Sequence, residues 1–385
     1  MKKLVFQLHL LFFVASVSYA QKFDNITIDS KELNQKREIV VYTPLSYPDQ
    51  YLCYNVIYVF DAHDRALYDY VNSIAHLTRE NHKGFIVVGI KATYDPVNFY
   101  ARNHDLLPST TKRNMGPKSK GNAENFLKYV KNEVIPYVQN NYRTLGHPIA
   151  VGHSLSASFL LYTMMNEPKL FDNYIAVSPN LDDDDQRLVK GLAKFDPNQY
   201  STPKFLYLSH ANEGKSSFYV GWGEANKNAY KILRNDLNTA HLKVVVEEYP
   251  NETHRTGFVP AIKSALSIYM NEMEPKQENL LSQETYEVTF KIKVTNENDE
   301  IFITGNQENL GNWQPNKIKM KKMSSLEREI TLKVKDPVEV KFTKGSWDSE
   351  AWIKLSDDPG ATSYGRMFRP KEGMIVYFEI AGYQN

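Results

Sequence analysis

The sequence has almost no cysteine, no surplus of either charge and no long apolar run after its first residues. Its one cysteine, Cys53, can form no intrachain disulfide, and a cysteine-based metal site is excluded. The 46 Lys and Arg against 45 Asp and Glu give no general attraction to nucleic acid or anionic lipid. With 385 residues, 42% of them hydrophobic, the chain is not disordered and is long enough for two folded cores.

The amino-terminal residues have the three parts of a secretory signal peptide. Lys2 and Lys3 give a positive start, an apolar stretch runs from Leu4 to Val17, and small residues stand at Ser18 and Ala20. The stretch is shorter than the roughly 20 residues that span a bilayer. We therefore expect residues 1–20 to be removed, the mature chain to be secreted or periplasmic, and no membrane association after signal removal.

Two patterns of hydrophobicity divide the rest of the chain. Residues 21–272 alternate apolar strand-like runs with helical stretches, which predicts an α/β fold with a mostly parallel sheet and helices on both faces. Residues 273–285 are polar and predict a linker, and residues 286–385 alternate as the strands of an all-β sandwich do. The strands predicted for the first domain are Arg37–Thr43, Asn55–Phe60, Gly84–Ile90, Pro148–Gly152, Asn173–Val177, Lys204–Ser209 and Leu242–Glu248. The helices predicted there are Ala123–Asn141, Ser156–Asn166, Gln186–Lys194, Ala225–Asn238 and Val259–Asn271.

Ser154 is the predicted nucleophile because it stands where an apolar strand runs directly into a helix. The run Gly152-His153-Ser154-Leu155-Ser156 matches a nucleophile elbow, except that Ser156 replaces the usual second Gly. Such a tight turn needs small residues beside the serine and directs its hydroxyl away from the sheet. An ordinary helix cap is the alternative, since serine is also a preferred N-cap residue.

A histidine and an acid follow Ser154 in the chain order of an α/β hydrolase. His254 stands in a loop after a predicted strand and is the predicted general base, because imidazole titrates near neutral pH. Glu213 follows the preceding strand and is the predicted acid that orients the imidazole. Glu224 and residues 182–185 remain alternatives for that acid.

The predicted oxyanion hole consists of backbone N–H groups. Leu155 supplies one donor at the start of the helix, and Ala62 or the neighbouring His63 supplies the other from the turn after the strand Asn55–Phe60. Acyl transfer by such a site needs no metal and no organic cofactor.

Five stretches of the first domain carry a resemblance to a known family: residues 55–62, 102–108, 134–143, 152–154 and 171–179. Through them the segment from Asn25 to Ile268 resembles the esterase D family, which includes enterochelin, ferri-bacillibactin, feruloyl and acetyl-xylan esterases. The resemblance implies an α/β-hydrolase fold with Ser154 as nucleophile and His254 as base, and a carboxylic ester as substrate.

The second domain resembles a starch-binding carbohydrate-binding module of family 20 over residues 303–313 and 338–347. The resemblance implies a sugar platform formed by Trp313, Lys341 and either Trp347 or Trp352. An exposed indole offers a flat apolar face to a glucose ring, and polar neighbours bind the hydroxyls. Tryptophan is also often a core residue, and modules of this kind can act only as spacers.

These features predict an exported serine esterase. Its first candidate substrate is an esterified carbohydrate, and its second domain is expected to hold an α-glucan or related polysaccharide. Two alternatives remain open. One is a siderophore esterase in which the β domain is a passenger. The other is a carbohydrate-binding protein on an inert hydrolase scaffold.

Overall fold

The computed structural model describes most of the chain after the predicted signal peptide, which lies outside the described residues. The described residues are 22–44, 47, 51–78, 84–93, 101–112, 120–213, 219–354, 361–362 and 366–384. An eight-stranded sheet organises the first domain, and two further sheets form the second. Within those ranges no helix combines the length and the apolarity needed to cross a membrane.

The first domain is built on a twisted sheet of order β1-β2-β4-β3-β5-β6-β7-β8. The pairs β1–β2 and β2–β4 are antiparallel and the other pairs are parallel. The strands β3 to β6 are buried at every position because helices cover both of their faces. This confirms the predicted α/β fold class. The strands are β1 (Lys22–Ser30), β2 (Gln35–Thr43), β3 (Val56–Phe60), β4 (Ile86–Ile90), β5 (Ile149–His153), β6 (Asn173–Val177), β7 (Lys204–His210) and β8 (Leu242–Glu248).

The helices place one apolar cluster on each face of this sheet. The predicted helix Ala123–Asn141 is helical throughout but changes to π-helical geometry at Val130–Val134, just before Pro136. Proline lacks the N–H that a regular turn would use, so the hydrogen-bond ladder adjusts there. The α-helices are α1 (Arg65–Leu77), α2 (Ala101–Leu106), α3 (Ala123–Tyr129), α4 (Ile135–Asn141), α5 (Leu155–Asn166), α6 (Asp183–Leu192), α7 (Trp222–Ile232), α8 (Phe258–Ile268) and α9 (Glu274–Glu278).

The segment predicted as a linker continues the helical structure of the first domain as far as Glu278. Its side chains are tied to that domain. Gln277 is fully buried, and its Nε2 donates to Asn173 and to the Pro203 carbonyl, each at 3.0 Å. The non-helical connection is therefore only residues 279–284, because Thr285 begins the next strand.

The second domain is a sandwich of two sheets, of order β11-β10-β14-β17 and β12-β13-β9-β18-β15-β16. Its pairs are antiparallel except β9–β18, which is parallel. Alternate residues such as Val340 and Phe342 enter its core. The strands are β9 (Thr285–Lys293), β10 (Phe302–Gly305), β11 (Ile318–Lys319), β12 (Lys321–Lys322), β13 (Glu327–Lys335), β14 (Val338–Thr343), β15 (Ala351–Lys354), β16 (Ala361–Thr362), β17 (Arg366–Phe368) and β18 (Met374–Tyr383).

The two domains meet at the amino ends of β3 and β5. Cys53 and Leu145, which precede these strands, are buried in the same apolar cluster as the core of the second domain. The Cys53 N–H donates to the Met367 carbonyl at 2.9 Å. The rings of Tyr51 and Phe378 are 6.1 Å apart. Cys53 is thus a buried packing residue of the interdomain contact.

Candidate active site

Ser154 lies at the tip of the turn between β5 and α5 in a strained backbone conformation. Its φ of 60° and ψ of −121° are rare for any residue except glycine. Gly152 makes the turn possible, since a Cβ there would lie 2.7 Å from the backbone carbon of Ser156. The strand, the sharp turn and the helix of an elbow are therefore all present.

Ser156, which replaces the usual second glycine, is buried and bonded to the turn. Its Oγ accepts a hydrogen bond from the His153 N–H at 3.0 Å and donates one to the His153 carbonyl at 2.9 Å. A side chain that bonds to the backbone three residues earlier braces the turn locally. The substitution therefore keeps the elbow and adds two hydrogen bonds to it.

His254 and Glu213 come together although 41 residues separate them in the chain. Nδ1 of His254 lies 3.1 Å from Oε1 of Glu213. Burial opposes the ionisation of Glu213, but the hydrogen bond from His254, together with the polar groups around the carboxyl, outweighs it and lowers the pKa of the carboxyl to about 2. The ionised carboxylate can only accept, so Nδ1 carries the proton and Nε2 keeps its lone pair.

Two of the other acids that the sequence left open, Glu224 and Asp184, lie elsewhere. Glu224 is exposed in the first turn of α7. Within residues 182–185, Asp184 accepts a hydrogen bond from the Lys112 N–H at 2.8 Å, which ties α6 to the segment after α2. Glu213 is the acid that the structure brings to His254.

His153 contacts the loop of His254, which its place in the sequence does not reveal. Its buried ring lies 4.7 Å from that of His254, and its Nε2 is 2.8 Å from the His254 carbonyl. Burial, together with the neighbouring His254, lowers the pKa of His153 to about 4. The neutral ring therefore donates its Nε2–H to that carbonyl. This bond ties the loop of His254 to the residue before Ser154.

Aromatic side chains at the start of α7 and just before it contact His254. The Tyr219 ring lies 4.9 Å from the imidazole, and the Trp222 ring meets it edge-on at 5.4 Å. Val220, which lies between them in the chain, is 75% exposed. With His153 also in contact, rings surround the imidazole and restrict its rotation. In the sequence Tyr219 and Trp222 stand in a short aromatic run without strand or helix periodicity, which does not reveal this contact.

The backbone of the turn after β3 is inconsistent with Ala62 as one of the two predicted oxyanion donors. The Ala62 N–H donates to the Ile90 carbonyl at 3.1 Å, so it extends the β3–β4 ladder instead of facing Ser154. Leu155 stands at the first position of α5, where an N–H has no intrahelical acceptor. Leu155 therefore stays the proposed donor from the elbow, and Ala62 is not the second donor.

A buried ion pair supports the same turn. Asp61 is 1% exposed and has a positive φ of 61°. Nη1 of Arg102, from α2, lies 3.0 Å from its Oδ2.

In the described part of the chain, no group of three or more His, Cys, Asp or Glu side chains is arranged to hold a metal ion.

The predicted sugar-binding residues separate into two places. Nζ of Lys341 lies 5.9 Å from the centre of the Trp347 ring and 2.9 Å from Glu350. Trp347 is 38% exposed. Trp352 is also exposed but projects from the outer face of the six-stranded sheet, since its neighbours along β15 are buried. Trp313 is half-buried in the loop after β10. The structure thus brings Trp347, and not Trp352, to Lys341.

Comparisons with known proteins match both domains. The family model described as "Putative esterase" matches residues 30–246, and the model described as "Starch binding domain" matches residues 285–352. The siderophore triacetylfusarinine C esterase of Aspergillus fumigatus is 34% identical over 82 residues, 21% of this chain and 27% of that protein. The uncharacterized protein YjcH of Bacillus subtilis is 27% identical over 158 residues, 40% of this chain and 60% of that protein. The matches thus span 27% and 60% of the length of these two relatives.

Solved structures share the fold of the first domain. An IroE-like serine hydrolase from Shewanella oneidensis has a TM-score of 0.55 at 23% identity, over 68% of this chain and 82% of that one. The siderophore hydrolase EstA from Aspergillus nidulans has a TM-score of 0.57 at 22% identity, over 69% and 100%. At such identities the likeness concerns the fold alone. Because the first family model covers more than half of the sequence, the chain belongs to that esterase family, and its second domain is similar to a starch-binding domain.

Proposed function

We propose that this chain is a serine esterase that hydrolyses carboxylic esters through an acyl-enzyme on Ser154. The observation that supports it best is the hydrogen-bonded pair of His254 and Glu213, on a loop that His153 ties to the elbow. A nucleophile, a base and an acid that orients the base are the parts that acyl transfer requires.

The reaction follows from these positions. His254 takes the proton of Ser154 as the hydroxyl oxygen attacks the ester carbonyl, and ionised Glu213 stabilises the imidazolium. The N–H group of Leu155, with a second backbone donor from the turn after β3, holds the oxyanion of the tetrahedral intermediate. His254 then gives its proton to the leaving alcohol. A water molecule attacks the acyl-enzyme with the same base, and the acid leaves as Ser154 regains its proton.

The second domain and the amino-terminal residues extend the proposal. An α-glucan or related polysaccharide is the ligand of the second domain, held at Lys341 and Trp347, with Trp313 in the loop that follows the neighbouring strand β10. An ester of a carbohydrate is the first candidate substrate. A siderophore ester is the second, favoured by the similarity to a siderophore esterase over 82 residues. The signal-peptide features of residues 1–20 support export of the protein.

Hydrolysis of p-nitrophenyl acetate by the wild type and by Ser154→Ala tests the chemistry. We expect the variant to lose about a thousandfold or more in kcat. Equal rates would leave only the alternative of a binding protein on an inert scaffold. A panel of acetylated and feruloylated glycans against ferric siderophore esters then separates the two substrate classes by kcat/KM.

A further inference from the structure

The proposed mechanism fixes where the two halves of the ester lie. Nδ1 of His254 is bonded to Glu213, so Nε2 is the nitrogen that gives its proton to the leaving alcohol. The alcohol oxygen must therefore come within about 3 Å of Nε2. The acyl carbonyl lies instead at Ser154, with its oxygen on the Leu155 N–H. The alcohol moiety thus leaves the reacting centre beside His254, where it meets the side chains that border the imidazole.

Three aromatic rings border the imidazole of His254 within the described ranges of the chain. The centre of the His153 ring lies 4.7 Å from it, that of Tyr219 4.9 Å and that of Trp222 5.4 Å. His153 and Trp222 are buried, so their rings belong to the interior of the domain. Tyr219 is only partly buried. Of these three rings, Tyr219 is therefore the one that offers surface to a bound molecule.

The protein itself holds the Tyr219 ring in place. The ring packs against that of Trp222, the first residue of α7, at 4.8 Å with the planes inclined by 57°. Gly221, which precedes Trp222, has a φ of 92°, and a Cβ there would lie 2.5 Å from the Asp182 carboxylate. This left-handed turn and its close packing fix the path of the chain from Tyr219 into α7. A ring that is already ordered loses little conformational freedom when it binds a ligand.

Two cations approach this part of the site, and each is neutralised by a carboxylate. Nη2 of Arg255, the residue after His254, lies 3.0 Å from Oδ2 of Asp64. Arg102 is paired with Asp61, also at 3.0 Å. The surface that Tyr219 offers is thus an aromatic face between paired charges. It suits a neutral ring with an apolar face and hydroxyl groups at its edge, which is the chemistry of a pyranose.

We infer that Tyr219 is a specificity-determining residue whose ring binds the alcohol moiety of the ester, and that this moiety is a sugar ring. The inference rests on the proposed function and deepens it, because it identifies the side of the ester that carries the sugar. A stacking contact of this kind changes kcat/KM by about three- to tenfold. The acyl-enzyme has already lost its alcohol, so Tyr219 selects among alcohols only in the acylation step.

Two acetates that differ only in the alcohol test the inference. Methyl 6-O-acetyl-α-glucopyranoside releases a primary alcohol that carries a pyranose, and ethyl acetate releases one without a ring. The measured quantity is the ratio of their kcat/KM values, in which any loosening of His254 cancels because it affects both esters alike. We expect Tyr219→Ala to lower this ratio about three- to tenfold and Tyr219→Phe, which keeps the ring, to leave it within twofold. Tyr377→Ala removes an exposed tyrosine of the second domain and is the matched control, with the wild-type ratio.

An unchanged ratio in Tyr219→Ala would overturn the inference, because the ring would then act on His254 alone or not at all. A ratio that falls as far in Tyr219→Phe would overturn it too, since the hydroxyl and not the ring would make the contact. An equal fall in Tyr377→Ala would place the sugar contact on the second domain. Failure of the proposed function is a different result, in which Ser154→Ala hydrolyses ethyl acetate as fast as the wild type.

Discussion

Replacing Glu213 by glutamine keeps the shape of the side chain and removes the charge that faces His254. The neutral amide no longer stabilises the imidazolium or enforces the tautomer with Nδ1–H. We expect kcat for p-nitrophenyl acetate to fall about 10³–10⁴-fold, or about 4–5.5 kcal/mol, with little change in KM. The exposed Glu224 is the matched control, and Glu224→Gln should keep the wild-type rate.

The same substitution has a stability signature with a defined sign. The pKa of Glu213 is lowered from 4.5 to about 2 in the folded protein, which corresponds to about 3 kcal/mol. That stabilisation is present above pH 4.5 and is lost as the pH falls through about 2. The difference in unfolding free energy between wild type and Glu213→Gln should therefore shrink by about 2 kcal/mol between pH 6 and pH 3 in urea titrations. A folded Glu213→Gln protein with kcat within tenfold of wild type would refute the role of this acid.

Three further results are expected. Gly152→Ala places a Cβ against the Ser156 backbone and should lower the free energy of unfolding by about 3 kcal/mol or more in urea, and a loss below 1 kcal/mol would contradict the close packing. His153→Ala frees the His254 loop and should lower kcat about tenfold with KM unchanged, whereas an unchanged kcat would show that the tie is dispensable. Trp347→Ala should weaken retention on amylose about tenfold and Trp352→Ala by less than twofold, and the reverse order would place the sugar at the other sheet.

The fold and the elbow were predictable because their signals are local. Parallel strands buried on both faces have continuous apolar runs, and the sharp turn at Ser154 restricts its neighbours to small residues. The chain order then pointed to His254 and Glu213. The edge strand β1 and the helix α1 were missed. The apolar residues of β1, Phe23, Ile26 and Ile28, break the two-residue period that marks a strand, and α1 has no acidic residue in its first turn.

Contacts that depend on register or on distant segments were not predictable. The direction of the Ala62 N–H is set by its pairing with β4, which no residue type reveals. Alternation along β15 shows that Trp352 is exposed but not which sheet it belongs to. The predicted linker is polar, yet α9 uses its polar side chains, above all Gln277, to bond to the first domain. The interdomain position of Cys53 depends on the same long-range packing.

Covalent labelling tests the central claim most directly. The wild type, incubated with a p-nitrophenyl phosphonate that reacts with activated serines, is digested and its peptides are analysed by mass spectrometry. The account predicts one adduct per chain, on Ser154, formed in step with the loss of esterase activity and absent from the His254→Ala protein. Esterase activity that survives complete labelling of Ser154, or that is lost through an adduct on another residue, would contradict it.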